Sequence, residues 1–160
     1  MLSDVGVGKA QFTTPGHRHT RDRSRRSFAL IASEAHRKAE ADIARSQETL
    51  EAAKMFSFGG IGFAGTTSQE ELALKSILVL SSDTAKQRLE RLYSSGNPQA
   101  MSYALAGMRK LDRKRYAELI VSARTSDATV HTMSGCIMTN EELRKIADEL
   151  DSGKYDSWLR

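Results

Sequence analysis

An all-α protein made of short stacked helical hairpins is the fold class that this sequence predicts. Three observations carry the prediction. Apolar residues recur at helical spacing in successive short segments, capping residues open those segments, and few β-branched runs leave material for a sheet. The predicted architecture is α-solenoid-like or a compact bundle, preceded by a long N-terminal helix and a disordered N-terminal tail. A length of 160 residues suits a single domain. Hydrophobic residues at 39% and charged residues at 28% are typical of a soluble domain. No apolar run reaches the ~20 residues needed to span a bilayer, so no membrane partner is expected. One cysteine, Cys136, excludes an internal disulfide framework.

Residues 1–27 read as the disordered basic tail, because they hold few large apolar side chains with which to offset the entropy of ordering. Lys9, Arg18, Arg21, Arg23, Arg25 and Arg26 stand against Asp4 and Asp22, an imbalance equal to the whole formal net charge of +4. The remainder of the chain is therefore neutral. Beside an inert tail or a native start further downstream, two functional readings apply. Arg18, Arg21, Arg23, Arg25 and Arg26 have the chemistry of a phosphate-binding arm for nucleic acid. The stretch from Ser24 to Leu30 also resembles a bacterial twin-arginine export signal, but Glu34 cuts its apolar run short of the about 7–15 residues required. An incomplete export signal leaves the cytoplasm as the expected location.

Residues 28–55 are rich in Ala, Glu, Arg and Gln and predict the long amphipathic helix. Its stripe of Phe28, Ile31, Ala35, Ala39, Ile43, Leu50 and Met55 is thin, so one edge is expected to pack. Residues 56–67, FSFGGIGFAGTT, form a Gly-rich loop. Gly60 to Gly65 satisfies G-x-G-x-x-G formally, yet no strand precedes it and no Gly-Lys-Ser/Thr follows, so no nucleotide cofactor is expected. Gly65, Thr66 and Thr67 offer donors to an anion at the next helix N-terminus. The structural reading is a loop whose Phe56, Phe58, Ile61 and Phe63 plug the core, with Phe63 also a candidate partner contact.

Residues 68–153 form the helical-repeat domain. Ser68 to Glu71 is a capping box opening a helix with Leu74, Ile77 and Leu78 inward. Asp83 opens the next, with Leu89, Leu92 and Tyr93 inward and Gly96 as its stop. Asn97 and Pro98 open a third, with Met101, Ala104, Leu105, Met108 and Leu111 as its stripe. Asp112 caps a fourth carrying Tyr116, Leu119, Ile120 and Ala123. An offset of 27 residues carries the first hairpin's apolar positions onto the second's, the mark of a stacked repeat. The piece NPQAMSYALAGMRKLDRKRYAELI resembles a degenerate HEAT-like or armadillo-like unit, over roughly residues 68–125. The resemblance implies protein–protein binding or scaffolding and brings no catalytic residues.

Ser126 to Asn140 breaks the repeat as a loop holding His131 and Cys136. An adjacent imidazole lowers a thiol pKa, so the two could form a thiolate enzyme or a reactive thiol at Cys136. The structural reading is a buried free thiol beside Ile137 and Met138, with Gly135 turning the loop back. Metal binding lacks further ligands. Thr139 to Glu142 reads as a second capping box, opening a helix with Leu143, Ile146, Ala147 and Leu150 inward and Gly153 as its stop. Residues 154–160 are a C-terminal tail whose Tyr155 and Trp158 fold back or dock elsewhere.

The reading these observations favour is a non-enzymatic adaptor module bound to another protein, without cofactor or metal. Its contacts are expected on the polar faces at Arg109, Lys110, Arg113 and Arg115, and at Phe63 and Trp158. A nucleic-acid-associated accessory protein is the alternative, and a thiol enzyme using Cys136 and His131 ranks last.

Overall fold

The computed structural model describes residues 20–159, with side chains from Ala32 onward, in two units, Met1–Lys38 and Ala39–Arg160. Helix α1, Thr20–Glu51, runs across the boundary between them. Residues 20–27, expected in the tail, thus have helical backbone, in keeping with the good helix propensity of arginine. Arg18 lies outside the described residues. In the first unit the described side chains, Ala32 to Lys38, are exposed. Among the described side chains of the stripe expected along α1, Ala35 and Ala39 are exposed, Ile43 is half-buried and Leu50 is buried, with Gln47 buried beside them. Phe28 and Ile31 lie outside the described side chains.

The second unit continues with β1 (Gly60–Ile61), β2 (Thr66–Thr67), α2 (Gln69–Leu78), α3 (Ser82–Ser95), α4 (Pro98–Leu111) and α5 (Arg113–Arg124). The strands β3 (Thr129–Ser134) and β4 (Ile137–Glu142) and helix α6 (Leu143–Asp151) complete it. The described residues are mostly helical, and two antiparallel two-stranded sheets correct the all-α expectation. β1 and β2 pair within the Gly-rich loop, and β3 and β4 replace the loop expected at Ser126–Asn140. Thr129, Val130 and Thr132 are β-branched and suit a pleated strand, whereas a helix would crowd them.

Local capping follows the sequence at three helices and departs from it at two. Ser68 Oγ accepts from Glu71 N–H at 3.0 Å at the start of α2. Asn97 Oδ1 accepts from Ala100 N–H at 2.9 Å, with Pro98 in the first turn of α4. Asp112 closes α4 and opens α5, accepting from Arg115 N–H at 3.0 Å and pairing with Lys86 at 2.8 Å. Helix α3 instead begins at Ser82, so Asp83 stands inside its first turn. The capping box expected at Thr139–Glu142 is strand β4, where the Thr139 hydroxyl lies 2.7 Å from that of Thr132. Backbone carbonyls do its work: Leu143 N–H donates to Ala128 O at 2.8 Å and Arg144 N–H to Ser126 O at 3.3 Å.

Helix α4 is the centre of the unit. Every residue from Gln99 to Arg109 is buried except Met101, which is half-buried, and the helix packs against α2, α3, α5, α6 and β3. A single buried stripe was the sequence expectation; burial on all sides follows because Ala100, Ala104, Ala106 and Gly107 leave room for neighbours on the remaining faces. A Cβ on Gly107 would stand 2.8 Å from Leu89 Cδ1 and 3.1 Å from Leu74 Cδ1. The positions related by the 27-residue offset differ in burial. Leu74 is buried and Met101 half-buried, Leu78 half-buried and Leu105 buried. Between α3 and α5, Tyr93 Oη donates to Leu119 O at 3.0 Å.

Leu105 has no exposed surface. Leu105→Ala should therefore destabilise the protein by roughly 2–5 kcal/mol, since the cavity term adds to the lost transfer free energy. Urea unfolding with an unchanged m-value measures it, and a near-zero change would place Leu105 outside the core.

Candidate functional site

Ser57 explains how the Gly-rich segment is held. Its N–H donates to Tyr103 Oη at 3.0 Å, and the same hydroxyl donates to Ser57 O at 3.1 Å, deep against α4. Burial pushes the Tyr103 phenol upward, so the hydroxyl stays protonated and keeps its donor. Phe56 and Phe58 then pack edge-on with Tyr103, at centroid distances of 4.9 and 5.6 Å, and Tyr155 joins them at 5.2 and 5.4 Å. The expected aromatic plug is thus Phe56 and Phe58, with Ile61 half-buried. Phe63 corrects that expectation: it is wholly exposed at the tip of the β1–β2 turn, because Gly62 and Gly65, both at positive φ, swing the tip outward.

The same segment forms an edge for β3. Phe56 N–H donates to His131 O at 2.7 Å and Met133 N–H donates to Phe56 O at 3.2 Å. Further on, Gly62 N–H donates to Gly135 O at 2.8 Å, which joins the tip of the first hairpin to the turn of the second. That turn is Gly135-Cys136, with Gly135 at φ +58° in the first position, where a two-residue type II′ turn requires glycine. Its consequence is an exposed apolar group at one corner. Ile137 and Met138 are 69% and 66% exposed, and Phe63 follows directly on Gly62.

Strand β4 has one edge that no described strand pairs with. Ser134 and Ile137 close the turn, so Ser134, Thr132 and Val130 exchange hydrogen bonds with Ile137, Thr139 and Glu141. The backbone groups of Met138 and Asn140 therefore point away from β3. No described residue pairs with them. Below the sheet lies a cavity of about 210 Å³, lined by Phe56, Phe58, Thr132, Thr139, Glu141, Glu149, Tyr155 and Trp158 among others. Glu141 pairs with Lys145 at 2.6 Å and Glu149 with Lys154 at 2.8 Å. The Lys145 ammonium holds the Glu141 carboxyl below its ordinary value. Burial and the Glu149 carboxylate raise the Tyr155 phenol, which donates to Glu149 Oε2.

The expected contact residues are scattered rather than gathered. Arg109 is buried and serves the fold: it grips Asp156 through Nε and Nη2 at 2.9 and 3.1 Å and donates to Asp151 O at 3.2 Å. Arg115 pairs with Glu90 at 2.7 Å and Glu118 at 2.6 Å. Lys110 is exposed and its ammonium binds Leu159 O, while Arg113 is exposed beside it, around a cavity of about 240 Å³. The C-terminal tail folds back through these contacts, burying Leu159 and laying the half-exposed Trp158 ring on Gly59. A Cβ at Gly59 would meet that ring at 2.9 Å, and its φ of +82° also demands glycine.

Cys136 is exposed at the hairpin turn with Ile137 and Met138, where burial was expected, because the hairpin projects the turn from the core. His131 is committed elsewhere: its Nδ1 lies 2.6 Å from Asn140 Oδ1. Arg21, Arg23, Arg25 and Arg26 stand on α1, outside the described side chains, and Arg18 outside the described backbone. Among the described residues no group of three or more His, Cys, Asp or Glu is placed to hold a metal ion, and no helix is long and apolar enough to cross a membrane. Sequence reasoning missed Ile137, Met138 and the β4 edge. The available signal was the run of β-branched residues Thr129, Val130 and Thr132 ahead of a turn glycine, Gly135. No family model, curated protein or solved structure matches the chain.

Two predictions follow from this geometry. Tyr103→Phe should cost about 1–3 kcal/mol, because it strands the buried N–H and C=O of Ser57; calorimetric or urea unfolding measures it. The Arg109 guanidinium holds the Asp156 carboxyl below its ordinary value. A depressed folded value means the contribution is present above the ordinary carboxylate range and is lost as pH falls through the lower value. Emission from Trp158, the chain's one tryptophan, should report tail release below about pH 4, with that acid step missing in Asp156→Asn.

Proposed function

We propose that this chain is a non-enzymatic protein-interaction module that receives an extended segment of polypeptide along the free edge of β4. The observation that supports the reading is the edge itself, with the N–H and C=O groups of Met138 and Asn140 turned to solvent beside exposed Ile137, Met138 and Phe63. Main-chain hydrogen bonds along such an edge supply affinity, and alternate side-chain positions supply selectivity. The apolar side chains supply the desolvated contacts that dominate interface energies. The basic residues expected to bind a partner play a smaller part here. Arg109 and Arg115 already hold carboxylates of their own chain.

A photo-crosslinking amino acid in place of Met138 tests the reading. Covalent polypeptide adducts should form there under native conditions, and the same probe in place of the exposed Val121 on α5 should give none. Equal labelling at both positions, or no adduct at Met138, would refute it.

A further inference from the structure

We propose that the segment received along β4 is β4 of a second copy of this chain, in an antiparallel pair whose twofold axis passes beside Met138. The inference rests on the strand-addition reading above and names its partner.

Edge strands of stable monomers carry protection: a lysine, a proline, a bulge or a covering element. From Ile137 to Asn140 this edge holds no lysine, proline or bulge and no described residue covers it, and all four residues are exposed. The adjoining stretch from Ala128 to Asn140 contains no Asp, Glu, Lys or Arg, and neither does the Phe56–Gln69 segment that carries Phe63. A basic or acidic partner therefore finds no charge to match. A second copy, uncharged over the same stretch, meets no repulsion there.

The register follows from which groups are free. Met138, Asn140 and, at the end of the strand, Glu142 direct backbone donors and acceptors outward, so a twofold pair centres on one of these residues or on one between them. A centre at Glu141 or Glu142 would set a carboxylate against its own copy. Centring on Thr139 would place Ile137 against the partner's Glu141, and centring on Asn140 would bring Glu141 against the partner's Thr139. Centring on Met138 sets Met138 beside its own copy, exchanging both hydrogen bonds. Ile137 then faces Thr139 across the axis, and Glu141 and Glu142 stay beyond the contact. Met133 is the β3 partner of Met138, and their side chains share a face. The assembled sheet would carry a row of four methionines on that face, soft side chains that pack readily against one another.

The experiment uses the full chain with Cys136→Ser as background. Ile137 and Thr139 become opposed in a non-hydrogen-bonded pair, where Cα atoms stand about 4.5 Å apart, within disulfide reach. Mixing Ile137→Cys with Thr139→Cys should give a disulfide-linked dimer on mild oxidation, and neither variant alone should do so. Sedimentation should show a concentration-dependent dimer of the unmodified chain. Met138→Lys, which brings two ammonium groups together at the axis, should weaken that dimer by about 10-fold or more, with the β3–β4 hairpin retained by circular dichroism. A monomer at every concentration, or a dimer indifferent to Met138→Lys, would overturn the inference. A monomer whose Met138 probe still labels a foreign polypeptide overturns the self-pairing and leaves the strand-addition reading standing. Absence of any adduct removes both.

Discussion

The hydroxyl of Tyr103 is the contact on which the rest of the site depends. It stands on the most enclosed helix of the unit and answers both backbone groups of Ser57, which have no water to bind at that depth. With Ser57 fixed, Phe56 and Phe58 are carried into the aromatic group, and the two backbone groups of Phe56 are aimed at β3. Glu71 adds a second anchor, accepting from Gly59 N–H at 2.8 Å while paired with Lys75 at 2.6 Å. Through these few bonds a glycine-rich segment becomes a rigid support for the β3–β4 hairpin. The free edge of β4 is thus held by the core although it lies outside it.

Several arginines of the second unit are turned onto carboxylates of their own chain. Arg109 fixes the tail through Asp156, Arg115 ties α3 to α5 through Glu90, and Arg124 bridges to Asp148 and Asp151 on α6. The Arg115 and Arg124 pairs are exposed and contribute little stability one by one, since water screens them. Their effect on the surface is larger, because a guanidinium already engaged with carboxylates is a weak lure for another partner. The corner formed by the two hairpin tips differs by being uncharged and apolar. That contrast, rather than any cleft, is what makes it the candidate site.

Much of the helical part was legible because its signals are local. Ser68, Asn97 with Pro98, and Asp112 mark helix starts within a turn of the residues they cap, and the Leu74, Leu89 and Leu105 stripes need only sequence spacing. Ambiguity arose where one motif serves two structures. Thr139 to Glu142 fits a capping box, but Thr132 across the sheet claims the threonine, and carbonyls from residues 126 and 128 serve the helix instead. Arg109 reads as a surface residue from its place in a basic run; only the returning tail encloses it.

What the sequence determined by itself is therefore the set of helices in the second unit, the caps of α2, α4 and α5, and the neutrality of the chain beyond its basic N-terminal stretch. These rest on neighbours one to four residues apart. Tertiary structure decided that α4 would be enclosed on every side, that residues 129–142 would pair as a hairpin, and that Phe63, Ile137 and Met138 would share a corner. Those outcomes depend on partners far apart in the chain, such as Ser57 with Tyr103 and Gly62 with Gly135. Spacing within one segment carries no information about such pairs. Burial and unsatisfied backbone groups select them only once the chain has closed on itself.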